Sequence, residues 1–216
     1  MISHNENGIL QTYQNPLITQ IQFYDSGACE IYFVNGETRT VNIGCKPAYN
    51  SQFGIPLSQS GELLFLGSWE KGLSAFETRT GRLSWHYKAT RIMKIMLFDR
   101  CLVCVHYGKQ LLKLNQQTGE VLGALQSGTI ERAFRLSDSL ILVDKVRGKL
   151  SLVEADTLGI QKIYSKKEIN PLGCLSQIIR EATLQDGHLT IAGFEGVLNS
   201  ASIREPLWPF RRDLPL

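Results

Sequence analysis

Short apolar runs of about six residues alternate with glycine-containing turns along most of the chain. Apolar runs of this length, bounded by turn residues, are typical of β-strands rather than of helices, which need longer periodic segments. The clearest stretch places such runs at 92–98, 101–107, 109–115 and 120–126, with only a few residues between one run and the next. The pattern therefore predicts an all-β fold of antiparallel strands joined by tight turns.

At five places along the chain, a glycine lies between two apolar runs. These glycines are Gly36, Gly72, Gly108, Gly148 and Gly196. Successive members are between 36 and 48 residues apart. Glycine suits the positive φ angles of tight hairpins, so each of them is expected at an equivalent turn. A regular spacing of this size predicts a repeated supersecondary unit.

A second turn signal follows the first glycine in three of the units, at Thr80-Gly81, Thr118-Gly119 and Leu158-Gly159. Each pair ends one apolar run and precedes another, so a complete unit contains four short strands. The last unit lacks a fourth strand, and residues 8–14 belong to no unit. Because an open ring would expose sheet edges, residues 8–14 are expected to close the last blade as its outer strand.

The sequence thus predicts a five-bladed β-propeller with four-stranded antiparallel blades. Residues 1–216 are expected to form a single domain, with one blade centred on each of the five repeated glycines and a C-terminal tail at 204–216.

The segment 72–85 resembles the repeat of quinoprotein-like β-propellers, a superfamily with PQQ repeats that are similar to WD repeats. That repeat reads roughly Gly-x-Leu-x-Ala-Leu-Asp-x-x-Thr-Gly-x-x-x-Trp, and segments 108–119 and 148–159 match it more loosely. The resemblance implies a propeller fold, with Trp85 as a structural residue packed between blades. It implies no active site, because the calcium and quinone ligands of the quinone-dependent enzymes are not found in this sequence. We therefore expect no cofactor.

Composition limits the compartment and the class of partner. The 23 Lys and Arg residues exceed the 20 Asp and Glu residues by a net charge of +3, which is too small to indicate a nucleic-acid partner. The N-terminus is polar, without a basic segment followed by an apolar one, and no apolar run approaches the length of a membrane helix. The five cysteines are irregularly spaced. A cytoplasmic protein without disulfides and without a membrane partner is expected.

A pair of cysteines and a pair of glutamates are the two candidate chemical sites in the sequence. Cys101 and Cys104 have the spacing of a metal-binding pair, but they lie within one predicted strand, where residues i and i+3 point to opposite faces. They are expected to be buried, reduced core residues that bind no metal.

Glu131 and Glu181 are the only acids on the predicted innermost strands, where five-bladed glycoside hydrolases place their catalytic carboxylates. No complete catalytic constellation is found, so an enzyme is not expected.

One predicted face of the propeller combines aromatic and basic side chains. It carries the hairpins between the second and third strands of each blade, with the candidate partner-binding residues Trp69, Lys71, Tyr107, Lys109, Lys145, Arg147 and Phe194. The opposite face is expected to be more acidic, with Asp25, Asp99, Asp138, Asp156 and Asp186. Aromatic residues and arginines are typical of binding hot spots. The alternative is that these hairpin tips are simply solvated.

The function predicted from the sequence is non-catalytic binding of a protein partner through this rim. Its most concrete form is an inhibitor or immunity protein that neutralises a delivered nuclease toxin, with affinity from shape and charge matching. The alternative is a glycan-binding or glycoside-acting five-bladed propeller, with Trp69 and Tyr107 as stacking platforms and Glu131 and Glu181 as acid and base. Binding of nucleic acid is the least favoured hypothesis, because the net charge is low.

Overall fold

A computed structural model describes most of the chain as strands and turns. The described residues are 2–5, 8–12, 18–24, 26–42, 57–68, 70–106, 110–145, 148–165, 179–185 and 188–193. They contain no helix, so the all-β prediction is confirmed for this part of the chain. The described residues also contain no helix long and apolar enough to cross a membrane.

The described residues form nineteen strands of four to seven residues. In chain order they are β1 Ile2–Asn5, β2 Gly8–Thr12, β3 Ile18–Phe23, β4 Ala28–Phe33, β5 Thr38–Asn42, β6 Leu57–Ser60, β7 Leu63–Ser68, β8 Gly72–Glu77, β9 Leu83–Tyr87, β10 Ile92–Leu97, β11 Cys101–His106, β12 Gln110–Asn115, β13 Val121–Gln126, β14 Ile130–Arg135, β15 Leu140–Lys145, β16 Lys149–Glu154, β17 Ile160–Ser165, β18 Ile179–Gln185 and β19 His188–Gly193.

The strands assemble in chain order into five antiparallel sheets within the described residues. The sheets are β1–β5, β6–β9, β10–β13, β14–β17 and β18–β19. In the third sheet every strand lies within one residue of its predicted bounds, and the second and fourth sheets also have four strands. The four-stranded unit is therefore confirmed in the three middle sheets. The predicted third strand of the last unit, at 197–203, lies outside the described residues, and so do two of the repeated glycines, Gly108 and Gly196.

The predicted role of the N-terminal strand is wrong. The register of β2 pairs Ile9 with Phe23 and Thr12 with Gln20, so β2 extends the first sheet along the free edge of β3 instead of completing the last sheet. β1 then pairs with β2 as a hairpin. The physical reason is proximity along the chain, because pairing with the next strand closes a much shorter loop than pairing with a strand near residue 190.

A β-bulge recurs at one position in the strand that opens four of the units. The register skips one residue between Ile18 and Gln20 in β3, between Ile92 and Lys94 in β10, between Ile130 and Arg132 in β14, and between Ile179 and Glu181 in β18. A bulge increases the local twist and redirects the side chains that follow it. As a result, a long polar residue occupies the equivalent position of each strand: Gln20, Lys94, Arg132 and Glu181.

Four hydrophobic clusters fill the spaces between neighbouring sheets. Each cluster combines residues of two consecutive sheets, so the described part of the chain contains four sheet-to-sheet cores for five sheets. β11 shows the consequence for a middle sheet, because five of its six residues are buried and point alternately into two different cores. Burial on both faces of the middle sheets is the main source of stability in such an array.

The outer faces of the first and last sheets are polar. In the first sheet Glu30 and Tyr32 lie on the face opposite the buried Cys29 and Ile31. The hydroxyls of Tyr24 and Tyr32 both donate to the Glu30 carboxylate, at 2.7 and 2.8 Å. These bonds lower the pKa of Glu30, and the bond to Glu30 raises the pKa of Tyr24 to about 12.

The last sheet is similar, since β18 exposes Glu181, Thr183 and Gln185 and buries Ala182. Within the described residues, none of the four cores joins the first sheet to the last. The fifth interface that a closed five-bladed ring requires is therefore not found there, and both the ring and the blade count stay predictions.

The turn between the third and fourth strands repeats closely in the three middle sheets. A threonine hydroxyl accepts a hydrogen bond from the backbone N–H two residues later, at Thr80, Thr118 and Thr157. The residue that follows each threonine has positive φ, namely Gly81 at 70°, Gly119 at 72° and Leu158 at 56°. The predicted equivalence of Leu158-Gly159 with Thr80-Gly81 is therefore wrong by one residue, because Leu158 itself occupies the left-handed position.

Trp85 of the second sheet packs against the third sheet and hydrogen-bonds to it. Its indole is buried, and its Nε1–H donates to the Gln116 carbonyl at 2.9 Å. The ring lies so close to Gly119 that a Cβ there would approach its Cε3 to 2.5 Å. Trp85 therefore packs between two sheets, in agreement with the structural role that the repeat resemblance implies.

Candidate partner-binding face

The predicted binding residues belong to the hairpins between the second and third strands of each sheet. Two of the seven, Lys71 and Lys145, lie in the described part of the chain. The other five lie outside it: Trp69, Tyr107, Lys109, Arg147 and Phe194. The structure thus gives surroundings for two basic residues of the predicted rim and for none of its aromatic residues.

Lys71 is held in an exposed turn between β7 and β8. The buried Ser68 hydroxyl accepts hydrogen bonds from the backbone N–H groups of Glu70 and Lys71, at 3.2 and 3.0 Å. Gly72 follows with a φ of 93°, so it has the positive φ predicted for the repeated glycines. These two hydrogen bonds fix the backbone amides of Glu70 and Lys71, and the Lys71 side chain is exposed to solvent.

Lys145 and Lys149 face each other at the end of the β15–β16 hairpin. The register pairs the two residues directly, and it pairs Lys145 with Ile130 on the other side. Lys145 is half-buried, and Lys149 is exposed. Burial lowers the pKa of Lys145, and the neighbouring charge of Lys149 lowers it further. Like charges directly opposite each other in a sheet are unfavourable, so this hairpin favours an anionic neighbour.

Two further cations lie on the first strands of adjacent sheets, Lys94 on β10 and Arg132 on β14. Arg132 pairs with Asp144 across β14 and β15, one step inward from Lys145. Both are buried, and Asp144 is fully inaccessible to solvent. Lys94 occupies the position on β10 that Arg132 occupies on β14. Burial lowers the pKa of Lys94, and the Arg132 charge lowers it further. Asp144 and Lys145 are successive residues of one strand and point to opposite faces, so the hairpin lysines are separate from the Arg132–Asp144 pair. We name Lys145 and Lys149 the basic cluster.

Lys94, Arg132 and Asp144 were not predicted from the sequence, which indicated Glu131 and Glu181 as the acids of the innermost strands. Those two residues are not equivalent in the structure, since Glu131 is the extra residue of the bulge in β14 and Glu181 aligns with Arg132. The repeated order of Ile, any residue, a long polar residue and Ile or Ala was the available signal, as at 92–95 and 130–133.

The opposite face carries acids that are balanced by neighbouring cations. Asp138 pairs with Arg135, and the exposed Asp99 lies 3.5 Å from Arg100. The ammonium group of Lys113, which is nearly buried, lies 2.8 Å from the Asp156 carboxylate and also bonds the Asp156 carbonyl. Asp25 and Asp186 lie outside the described residues. The acids of this face that the structure describes therefore contribute less net negative charge than the sequence predicted.

Cys101 and Cys104 point into different cores. Cys101 packs between the third and fourth sheets, and Cys104 packs between the second and third. Burial raises the pKa of both thiols. Two thiols on opposite faces of one strand cannot converge on a single ion, and within the described residues no group of three or more His, Cys, Asp or Glu side chains is arranged to hold a metal. The prediction that both cysteines are buried is confirmed, and their reduced, metal-free state stays a prediction.

Comparison with known proteins identifies the fold. No protein-family model and no curated protein sequence matches the chain. The structure is similar to the β-propeller domain of Cps50 (Swd1) from Myceliophteria thermophila, with a TM-score of 0.64 at 13% identity over 88% of this chain and 62% of that one. It is also similar to BamB from Moraxella catarrhalis, with a TM-score of 0.62 at 13% identity over 90% of this chain and 58% of that one.

The computationally designed protein Ika8 is similar too, with a TM-score of 0.63 at 11% identity over 85% of this chain and 54% of that one. The chain thus spans between 54% and 62% of the length of these three structures. At these identities the likeness concerns the fold alone, and the fold is that of a β-propeller.

Proposed function

We propose that the protein is a non-catalytic binding scaffold that holds an acidic surface of a protein partner on its basic cluster. The observation that carries the proposal is the direct pairing of Lys145 with Lys149 at an exposed hairpin end. An opposing acidic surface would remove the repulsion between these two charges, and it would do so at a place where Lys145 is already partly desolvated. A rigid array of sheets with short turns keeps such a surface preorganised.

The distribution of charge over the two faces supports this choice of surface. On the opposite face three of the predicted acids, Asp99, Asp138 and Asp156, each have a cationic neighbour. On the hairpin side, Lys71 adds a further exposed cation, two residues after the predicted binding residue Trp69 in the sequence. Complementary charge of this kind determines the rate and specificity of association more than the affinity.

The narrower form of the proposal is an inhibitor or immunity protein that binds a delivered nuclease toxin in the cytoplasm. Its support is general: a small scaffold, no catalytic constellation in the sequence and an expected reducing compartment.

We also propose that the array has five blades, because the five described sheets follow the five repeated glycines in chain order.

The proposal is tested by capture of the partner with charge-reversed variants. Tagged wild-type protein is used to capture proteins from an extract of the source organism, and captured proteins are identified by mass spectrometry. Lys145→Glu/Lys149→Glu is expected to lose a stoichiometric partner that the wild type retains. Arg79→Glu/Arg82→Glu, which alters net charge equally on the opposite face, is expected to keep it. Equal retention by both variants would remove the basic cluster from the interface.

A further inference from the structure

The outer face of the first sheet carries a carboxylate that forms no ion pair among the described residues. This carboxylate is Glu30 on β4, and Tyr24 and Tyr32 lie on either side of it. The neighbouring residues Cys29 and Ile31 point the other way, into the core shared with the second sheet. The Glu30 face is therefore the one that the second sheet does not cover.

The two tyrosines hold this carboxylate in one orientation. Both hydroxyls donate to Glu30 Oε2, at 2.7 Å from Tyr24 and 2.8 Å from Tyr32, and none of the described hydrogen bonds ends on Oε1. The two bonds lower the pKa of Glu30, so the group is charged at neutral pH. All three side chains are half-buried. We name Tyr24, Glu30 and Tyr32 the tyrosine–glutamate site.

A guanidinium group fits this site. Its planar N–H donors match a carboxylate, and its flat face stacks on aromatic rings. The first sheet cannot supply such a group itself, because Arg39 is the only Lys or Arg among residues 1–42. Arg39 pairs with Ile31 in the register, which places it on the opposite face, and it binds Glu37 at 3.0 Å. A cation for Glu30 therefore has to come from beyond residue 42.

The C-terminal tail, residues 204–216, carries three arginines, at 204, 211 and 212. The tail continues from the last sheet, whose strand β19 ends at Gly193. The chain between Gly193 and Arg211 can extend to about 60 Å. A compact domain of this length has a radius of gyration of only about 17 Å. The tail is therefore long enough to reach the first sheet.

The charges of the two end sheets favour such a segment between them. β18 exposes Glu181 on the face away from the fourth sheet, since Ala182 packs into the core shared with that sheet. Direct contact of this face with the outer face of the first sheet would bring the like charges of Glu181 and Glu30 together, which is unfavourable. A segment that carries arginines would be attracted to both faces.

We propose that the C-terminal tail binds the tyrosine–glutamate site through Arg211 and Arg212. One guanidinium pairs with the Glu30 carboxylate and lies on a tyrosine ring, and the tail covers the outer face of the first sheet. It then lies where a closed ring would need its fifth interface. This contact involves neither the basic cluster nor a protein partner, so it stands or fails independently of the proposed function.

Limited digestion of the full-length protein with trypsin tests the contact, because trypsin cleaves after accessible arginines. Loss of residues 212–216 or 213–216 is followed by intact mass spectrometry. Cleavage should be about tenfold faster or more in Glu30→Gln, which keeps an acceptor for the tyrosine hydroxyls and removes the charge that binds the guanidinium. Glu37→Gln, the same change of charge in the turn between β4 and β5, should be cleaved like wild type. Equal rates for wild type and Glu30→Gln would overturn the proposal.

Tyrosine ring NMR signals test the same contact without a change to the carboxylate. In Arg211→Gln/Arg212→Gln the signals of Tyr24 and Tyr32 should shift, whereas that of Tyr164 in the fourth sheet should stay as in wild type. Unchanged signals of Tyr24 and Tyr32 would remove the tail from the site. A contact within one molecule also requires cleavage rates that do not depend on protein concentration. Protection that grows with concentration would assign the tail of a second copy and overturn the intramolecular contact.

Discussion

At the scale of single residues, neighbouring sheets pack through pairs of one large and one small residue. Which of the two sheets carries the large residue changes from one interface to the next. Trp85 on β9 packs over Gly119 in the next sheet, where a Cβ would meet the indole at 2.5 Å. The equivalent of Trp85 on β13 is Gly123, and there the left-handed turn residue of the next sheet is Leu158, whose Cδ1 fills the space beside the glycine. Burial of Leu158 offsets the strain of its positive φ.

This arrangement predicts unequal effects for two glycine substitutions. Gly119 and Gly36 both have positive φ, but no atom lies within 4 Å of the position of a Cβ on Gly36. Gly36→Ala should reduce the free energy of unfolding by about 1 kcal/mol, the cost of a left-handed alanine. Gly119→Ala should cost about 3 kcal/mol or more, because it also displaces Trp85. Denaturant unfolding measures both, and equal losses would contradict the packing of Trp85 over Gly119.

Some residue-level features were readable from the sequence and others were not. Trp85 and the buried cysteines follow from the repeat and from the two-residue period of a strand. Leu158 was missed because glycine was taken as the marker of the left-handed turn, whereas the threonine before it is the feature that repeats. Asp144 was missed because its partner Arg132 lies on another strand, and register across strands cannot be read from spacing along one chain.

At the scale of strands and sheets, the four-strand unit was predictable because each strand is bounded by its own turn residues. The pairing of residues 8–12 was not predictable. This strand belongs to no repeated unit, and its sequence pattern fits the free edge of the first sheet and that of the last sheet equally well. Closure of the last sheet was preferred for the symmetry of the ring. The observed choice, the edge of β3, needs a connection of only a few residues and is favoured by chain entropy.

The pairing of β2 with β3 predicts where an N-terminal deletion acts. Removing residues 1–12 should accelerate amide hydrogen exchange in β3, since that strand loses its neighbour on one side. Exchange in β19 should stay as in the full chain. The measurement is hydrogen exchange followed by mass spectrometry or NMR. Faster exchange in β19 with unchanged exchange in β3 would contradict the observed pairing and restore the predicted closure of the last sheet.

At the scale of the whole molecule, the five described sheets have apolar contacts between neighbours and polar outer faces on the first and the last. Four cores join five sheets in the described part of the chain, and Glu30 with its two tyrosines covers the outer face of the first sheet. Capping of terminal units by polar faces is characteristic of repeat proteins. This organisation could not be inferred from the net charge of +3. Paired acids on one face and a basic cluster on the other together give only a small net charge.

The central claim is that the basic cluster binds an acidic partner surface, and calorimetric affinity for the captured partner tests it most directly. Lys145→Glu/Lys149→Glu is expected to weaken binding by at least about thirtyfold, because reversed charges would face acidic groups. The loss should shrink as salt is raised, since screening weakens exposed charge interactions. Arg79→Glu/Arg82→Glu should stay within about threefold of wild type, the small effect typical of surface substitutions outside an interface. Equal affinities for wild type and the Lys145 and Lys149 variant would contradict the account.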